Sequence, residues 1–229
     1  MNPSGKIRAC VFDAYGTLFD FASAANRCPE IPEAQRAAVT ALWRDKQLQY
    51  TWLRTLQGDY ADFWHVTGDA LDFALESLGL ASPTRHAALM DLYRTLTPFP
   101  EVAEVLRQLR SAGIKTAILS NGTPGMLADA VTAGGLDGLF DWILSADSVQ
   151  RFKTHPSVYQ FALAQLGVPA EAISFQSSNG WDAYGASAFG MRVVWCNRYG
   201  QRPERLPGKP DAEIRTLAEL PALILNQGA

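Results

Sequence analysis

"RACVFDAYGTLFD", residues 8–20, decides how the rest of the chain is read. Ala9-Cys10-Val11-Phe12 is a short apolar run that ends in a carboxylate at Asp13, and Gly16 and Thr17 follow within four residues. A short continuous apolar run closed by turn residues reads as a buried strand. The stretch therefore predicts a strand whose carboxyl end carries Asp13 into a loop.

Working outward, "TAIL", "DWIL", "AISF" and "MRVVW" are further apolar runs, each set off by a helix-sized segment. That alternation predicts an α/β fold, a Rossmann-like parallel sheet flanked by helices. The spacing breaks only between the first run and the second. That stretch is far longer than one crossover and carries helical periodicity, so it reads as an inserted helical cap. The expected division is a core of residues 1–19 and 98–229 and a cap of residues 20–97. "TPFPEV" (97–102) reads as the hinge, because Pro98 and Pro100 stop a helix. "RYGQRPERLPGKPDA" (198–212) reads as a loop before a final short strand and helix.

The 229 residues are 48% hydrophobic and 19% charged, an ordinary globular balance. A net charge of -3 gives no footprint for neutralising nucleic-acid phosphates or coating anionic lipid, so neither partner is expected. Cys10, Cys28 and Cys196 are odd in number and lack zinc-ligand spacing. They read as idle thiols in a reducing compartment. With no signal-peptide pattern and no apolar stretch of membrane-spanning length, a cytoplasmic protein is expected.

Ligands of open α/β sheets bind beyond the carboxyl ends of the strands. Three such ends carry polar residues: Asp13 with its loop, "SNGTP" (120–124) and "SSNGWD" (177–182). A fourth segment, "FKTHPSVY" (152–159), follows "DWIL" and brings Lys153.

In that order, "DAYGTLFD", "LWRDKQLQYTWLR", "ILSNG" and "SSNGWDA" resemble the L-2-haloacid dehalogenases of the haloacid dehalogenase superfamily. The likeness covers nearly the whole chain, cap included. Phosphatases of the superfamily carry a second aspartate two residues after the first and use magnesium. Here those positions offer Tyr15, a phenol with an ordinary pKa near ~10, and the neutral amide of Asn179 near "SSNGWD". Magnesium wants hard anionic oxygens. A halide needs neither proton nor metal to leave, so no cofactor and no metal are expected.

The resemblance implies a role for each matching residue. Asp13 is the nucleophile, Thr17 and Ser120 orient it, and Lys153 keeps it ionised. Arg44, Asn121 and Trp181 cradle the departing halide, while Tyr15, Phe63 and Trp181 wall an apolar pocket. Backbone amides of Ser120 and Asn121 take the substrate carboxylate. Ser177, Asn179 and Asp182 position or activate water, and Tyr159 matches a further active-site position. Relatives often pair through cap helices, so a homodimer is anticipated. The partner molecule implied is a small haloacid.

Plainer readings stand beside these. Asp13 could be a turn former, Lys153 a solvated surface cation, Asp182 a cap for a helix beginning at Ala183, and Arg44 the partner of a local acid. Arg44 shares a helix face with Leu48 and Trp52, and a guanidinium on an apolar stripe needs an anion. Two residues depart from the family pattern: Asp45, where glutamine is frequent, and Thr154, where proline is usual. If Asp45 points at the pocket, it repels a carboxylate substrate. His65, His86 and His155 receive no role. The alternatives to a haloacid hydrolase are a magnesium-dependent phosphatase or phosphonatase-like enzyme, and a non-catalytic relative that binds small carboxylates.

Overall fold

Ala9–Phe12 forms strand β1, with all four side chains buried. Cys10 and Phe12 enter one apolar cluster and Ala9 and Val11 another, as alternation requires of a strand covered on both faces. The structure is a computed structural model and describes residues 6–226. The outermost parts of the expected core, 1–5 and 227–229, lie outside the described residues.

After β1 the chain makes the short strand β2 (Phe19–Asp20) and four helices: α1 (Ser23–Arg27), α2 (Glu33–Gln57), α3 (Phe63–Ser77) and α4 (Pro83–Arg94). It returns through β3 (Thr97–Pro98), which pairs antiparallel with β2, Phe19 opposite Pro98 and Asp20 opposite Thr97. The expected hinge is thus a two-stranded tie. α2 buries Val39, Trp43, Gln47 and Thr51, a stripe at intervals of four that packs on α3. Gly58 stops it, since φ of 70° is open to glycine and lets its N–H reach the carbonyls of Arg54 and Thr55. Asp62 caps α3, accepting from His65 N–H at 2.8 Å.

The remainder alternates strand and helix: α5 (Val102–Ser111), β4 (Lys115–Ser120), α6 (Pro124–Ala133), β5 (Trp142–Ser145), α7 (Pro156–Leu166), β6 (Ile173–Ser177), α8 (Gly180–Phe189), β7 (Arg192–Cys196), β8 (Ala212–Ile214) and α9 (Leu220–Leu225). Every apolar run singled out in the sequence overlaps a strand. The sheet order is β5-β4-β1-β6-β7-β8, and every neighbouring pair is parallel. Helices α5, α6 and α9 pack in the cluster on one face, α7 and α8 in that on the other. Chain order reverses on either side of β1. The carboxyl ends of β1, β4 and β6 therefore meet at a switch point, where open α/β sheets place their ligands.

Candidate active site

Asp13 leaves the tip of β1 only 5% exposed, yet no bond of its carboxylate goes unanswered. Oδ1 accepts from Lys153 Nζ at 3.0 Å. Oδ2 accepts from Asn179 Nδ2 at 2.8 Å, Thr17 Oγ1 at 3.1 Å and Ser177 Oγ at 3.5 Å. Charge-assisted bonds of this kind fix one rotamer. The loop that allows it turns at Gly16, whose φ is 89° and whose carbonyl accepts from Ser178 Oγ at 2.6 Å. Ser178 also gives its N–H to Thr17 Oγ1 at 2.8 Å, so the β6 loop holds the hydroxyl that holds Asp13.

Lys153 is 1% exposed and stands between two carboxylates, with Asp182 at 2.8 Å. Burial alone would pull its ammonium down, but Asp13 and Asp182 outweigh that and keep it above the ordinary lysine value. Burial pushes the Asp182 carboxyl up, against the pull of Lys153. Tyr159 donates to Asp182 Oδ1 at 2.8 Å, and burial drives its own phenol well up, with Asp182 adding to the shift. Lys153 is thus no surface cation. Asp182 is no cap for a helix at Ala183 either. α8 begins at Gly180, and the Asp182 side chain is drawn to Lys153 and Tyr159 instead.

From α2, Arg44 sends Nη2 to Asn179 Oδ1 at 3.3 Å and Nη1 to Gln47 Oε1 at 2.7 Å. Its side-chain hydrogen-bond acceptors are amides, its guanidinium lies 5.2 Å from the Phe21 ring centroid, and among the described residues it makes no ion pair with a local acid. Asn179 consequently bridges Arg44 and Asp13. A cavity of about 370 Å³ opens over this bridge, lined by Arg44, Asp45, Leu48, Asn179, Trp181 and Glu204 among others. Asp45 is exposed on that lining.

Other expected residues bond to groups around Asp13. Ser120 is fully buried and lends its oxygen to Gly122 N–H at 3.1 Å, while Thr17 makes the bond to Asp13. Asn121 Oδ1 accepts from Lys153 N–H at 2.9 Å, which fixes the lysine backbone. Tyr15 and Phe63 lie together, ring centroids 5.7 Å apart, but Trp181 packs edge-on against Trp52 at 5.4 Å. It forms a wall shared with a second, apolar cavity of about 620 Å³. The Tyr15 hydroxyl is buried without a hydrogen-bond partner, and burial pushes it well above the ordinary phenol range.

A divalent cation does not fit here. The space between the two carboxylates is filled by an ammonium, and positions 15 and 179 offer a phenol and an amide. Among the described residues no group of three or more His, Cys, Asp and Glu side chains could hold a metal ion.

Residues 7–190 match the family description of haloacid dehalogenase-like hydrolases. This chain belongs to that family. Among relatives of this hydrolase, (S)-2-haloacid dehalogenase 1 of Pseudomonas sp. (strain CBS-3) is 44% identical over 96% of this chain and 97% of its own. (S)-2-haloacid dehalogenase 4A of Burkholderia cepacia is 44% identical over 96% of each. The solved structure of L-2-haloacid dehalogenase from Xanthobacter autotrophicus with chloropropionic acid covalently bound superposes with a TM-score of 0.90. It is 38% identical, covering 97% of this chain and 100% of that one.

The sequence reading missed Gln47, Thr67, Tyr93, Ser178 and Arg198. Arg198 gives Nη2 to the carbonyl of Thr17 at 2.9 Å and pairs with Glu101 at 2.7 Å, tying the loop after Asp13 to the start of α5. Gln47 carried a usable signal as the polar member of the buried Val39-Trp43-Thr51 stripe.

Proposed function

We propose that this hydrolase removes halide from short L-2-haloalkanoic acids such as chloro- or bromopropionate and yields D-2-hydroxy acids, without a metal. One observation carries the reading: every side chain that hydrogen-bonds Asp13 is a donor, and none is an acid poised to protonate a leaving group. The names of the relatives and the covalently bound chloropropionic acid of the Xanthobacter autotrophicus structure support it.

The Asp13 carboxylate attacks C2 from the side opposite the halogen. The carbon–halogen bond breaks, the halide leaves with the bonding pair, and an ester with inverted configuration remains. Arg44 faces the anion that departs, with Asn121 and Trp181 in the same cradle. Ser120 and Asn121 backbone amides receive the substrate carboxylate, and Tyr15 and Phe63 meet the alkyl group. Water beside Ser177, Asn179 and Asp182 then attacks the ester carbonyl. Asp182 takes one proton, the departing alkoxide takes the other, and Asp13 is restored. Residues 20–97 act as the cap over residues 1–19 and 98–229, a division supported by the β2–β3 tie.

Two chains pair through their caps in this reading, supported by Leu53 at 51%, Leu56 at 83% and Phe73 at 38% exposure on α2 and α3. Cytoplasmic residence fits three buried free thiols. A phosphatase reading is disfavoured by Tyr15 and Asn179, and a non-catalytic one by the buried Asp13–Lys153 contact at 3.0 Å. The deciding experiment is single turnover in heavy-oxygen water with chelator present. Label should enter the Asp13 carboxylate, and an Asp13→Asn variant should release no halide. Halide release that needs magnesium, or an unlabelled Asp13, overturns the reading.

A further inference from the structure

Gln47 is 1% exposed, one helical turn beyond Arg44, and its amide can be oriented atom by atom. Thr67 spends its only hydroxyl proton on the carbonyl of Phe63 at 2.5 Å. Its oxygen can then only accept, and it does so from Gln47 Nε2 at 2.8 Å. Trp43 Nε1 donates to the carbonyl of the same threonine at 2.8 Å, holding α3 in place. With its nitrogen committed, Gln47 turns Oε1 to Arg44 Nη1 at 2.7 Å. Tyr93 closes the group, 3.2 Å from Gln47 Nε2.

The other end is fixed by the same logic. Asn179 directs Nδ2 to Asp13 at 2.8 Å and to the carbonyl of Tyr15 at 3.2 Å, which leaves Oδ1 for Arg44. The guanidinium is therefore held at two corners, by an amide of the core and an amide of the cap. Both acceptors are neutral. A carboxylate in either place would cancel the charge that a departing anion needs, so the choice of glutamine keeps Arg44 oriented and still positive.

We infer that Gln47 is a positioning residue for halide departure, fixing the Arg44 guanidinium through the Thr67–Gln47 bond. The inference rests on the reading of Arg44 as the halide's partner. Two variants separate orientation from packing. Gln47→Glu keeps every heavy atom but sets a charge against Arg44, and Thr67→Val removes the acceptor that orients the amide while leaving Gln47 in place.

Bromide binding by titration calorimetry and kcat for chloro- against bromopropionate are measured on wild type, both variants and Arg44→Lys. Gln47→Glu should weaken bromide binding by roughly tenfold or more, the scale of one charge-assisted bond. Thr67→Val should weaken it less. In both, kcat should fall further for chloride, the poorer leaving group, than for bromide, with cooperative melting retained. A merely structural role would lower both substrates' rates together. Folded variants with wild-type bromide affinity and an unchanged chloride-to-bromide ratio overturn the inference while Arg44→Lys loses bromide. Should Arg44→Lys also bind bromide normally, the reading of Arg44 fails first and takes the inference with it.

Discussion

The Lys153 ammonium donates to Asp182 at 2.8 Å in a setting where neither side chain meets solvent. Asp13 lies on the other side of the same nitrogen at 3.0 Å. One cation thus serves two carboxylates of different duty. It lies between two buried carboxylates that would otherwise repel each other. At the positions where a phosphatase of the superfamily would gather a metal, this chain offers the phenol of Tyr15 and the amide of Asn179. For the nucleophile proposed above, the side chains bonded to Asp13 include no carboxylic acid, which suits a leaving group that needs no proton.

Lys153→Met tests that dual service. Removing one partner of a buried ion pair leaves an uncompensated charge, here two, and costs about 3–5 kcal/mol. Thermal melting should fall accordingly, and halide release should disappear. Stability should recover in part at low pH, where Asp182 takes up a proton. A variant that melts like wild type would show that the pair contributes nothing to folding.

The pH dependence follows from the two shifts. Asp182 is held above its ordinary value of 3.8, so the acid limb of kcat should lie above that pH, activity appearing as the carboxyl ionises. Lys153 is held above 10.5, so its charge should persist through ordinary alkaline buffers and the plateau should not fall there. For stability, a raised lysine contributes fully below about 10.5 and loses that contribution as pH climbs through the higher folded value. Rate profiles and melting curves over the same buffers check both signs.

How far the sequence carried this picture depends on how local each feature is. β1 and Asp13 were legible because the apolar run and the carboxylate are adjacent, and Arg44 because a cation interrupts an apolar stripe. Gln47 offered only the weaker signal of an uncharged polar residue in a buried stripe, and its partners Thr67 and Tyr93 are 20 and 46 residues away. Asp182 was singled out for the site with a helix cap as its plainer reading, and spacing alone could not choose between them, because the partner that draws its side chain, Lys153, is 29 residues away. Ser120 and Trp181 lie on the expected elements, yet their closest partners are set by how loops fold back, which no spacing records.

Tyr159→Phe removes one hydrogen bond to a buried carboxylate, a bond of about 1.5–3 kcal/mol when the acceptor is charged. If Asp182 must be ionised to accept water's proton, kcat should drop by roughly tenfold or more. Tyr159 also lowers the Asp182 pKa, so the acid limb should move to higher pH in the variant. A lower rate with an unmoved limb would assign Tyr159 to packing rather than to Asp182.

Asp45 is the departure with the clearest electrostatic consequence. It lines the cavity of about 370 Å³ that opens over Arg44 and Asn179, is exposed, and shares that lining with Glu204. A carboxylate substrate entering there meets two like charges before it reaches the guanidinium. Because Asp45 is exposed, the repulsion is modest and screened by salt within a Debye length of about 8–10 Å. Asp45→Gln should therefore lower KM by about two- to threefold at low ionic strength and leave kcat unchanged. The gain should vanish near ~1 M salt, where screening reaches about 3 Å. A KM that improves equally at high salt would mean that glutamine makes a new contact with the substrate rather than relieving repulsion.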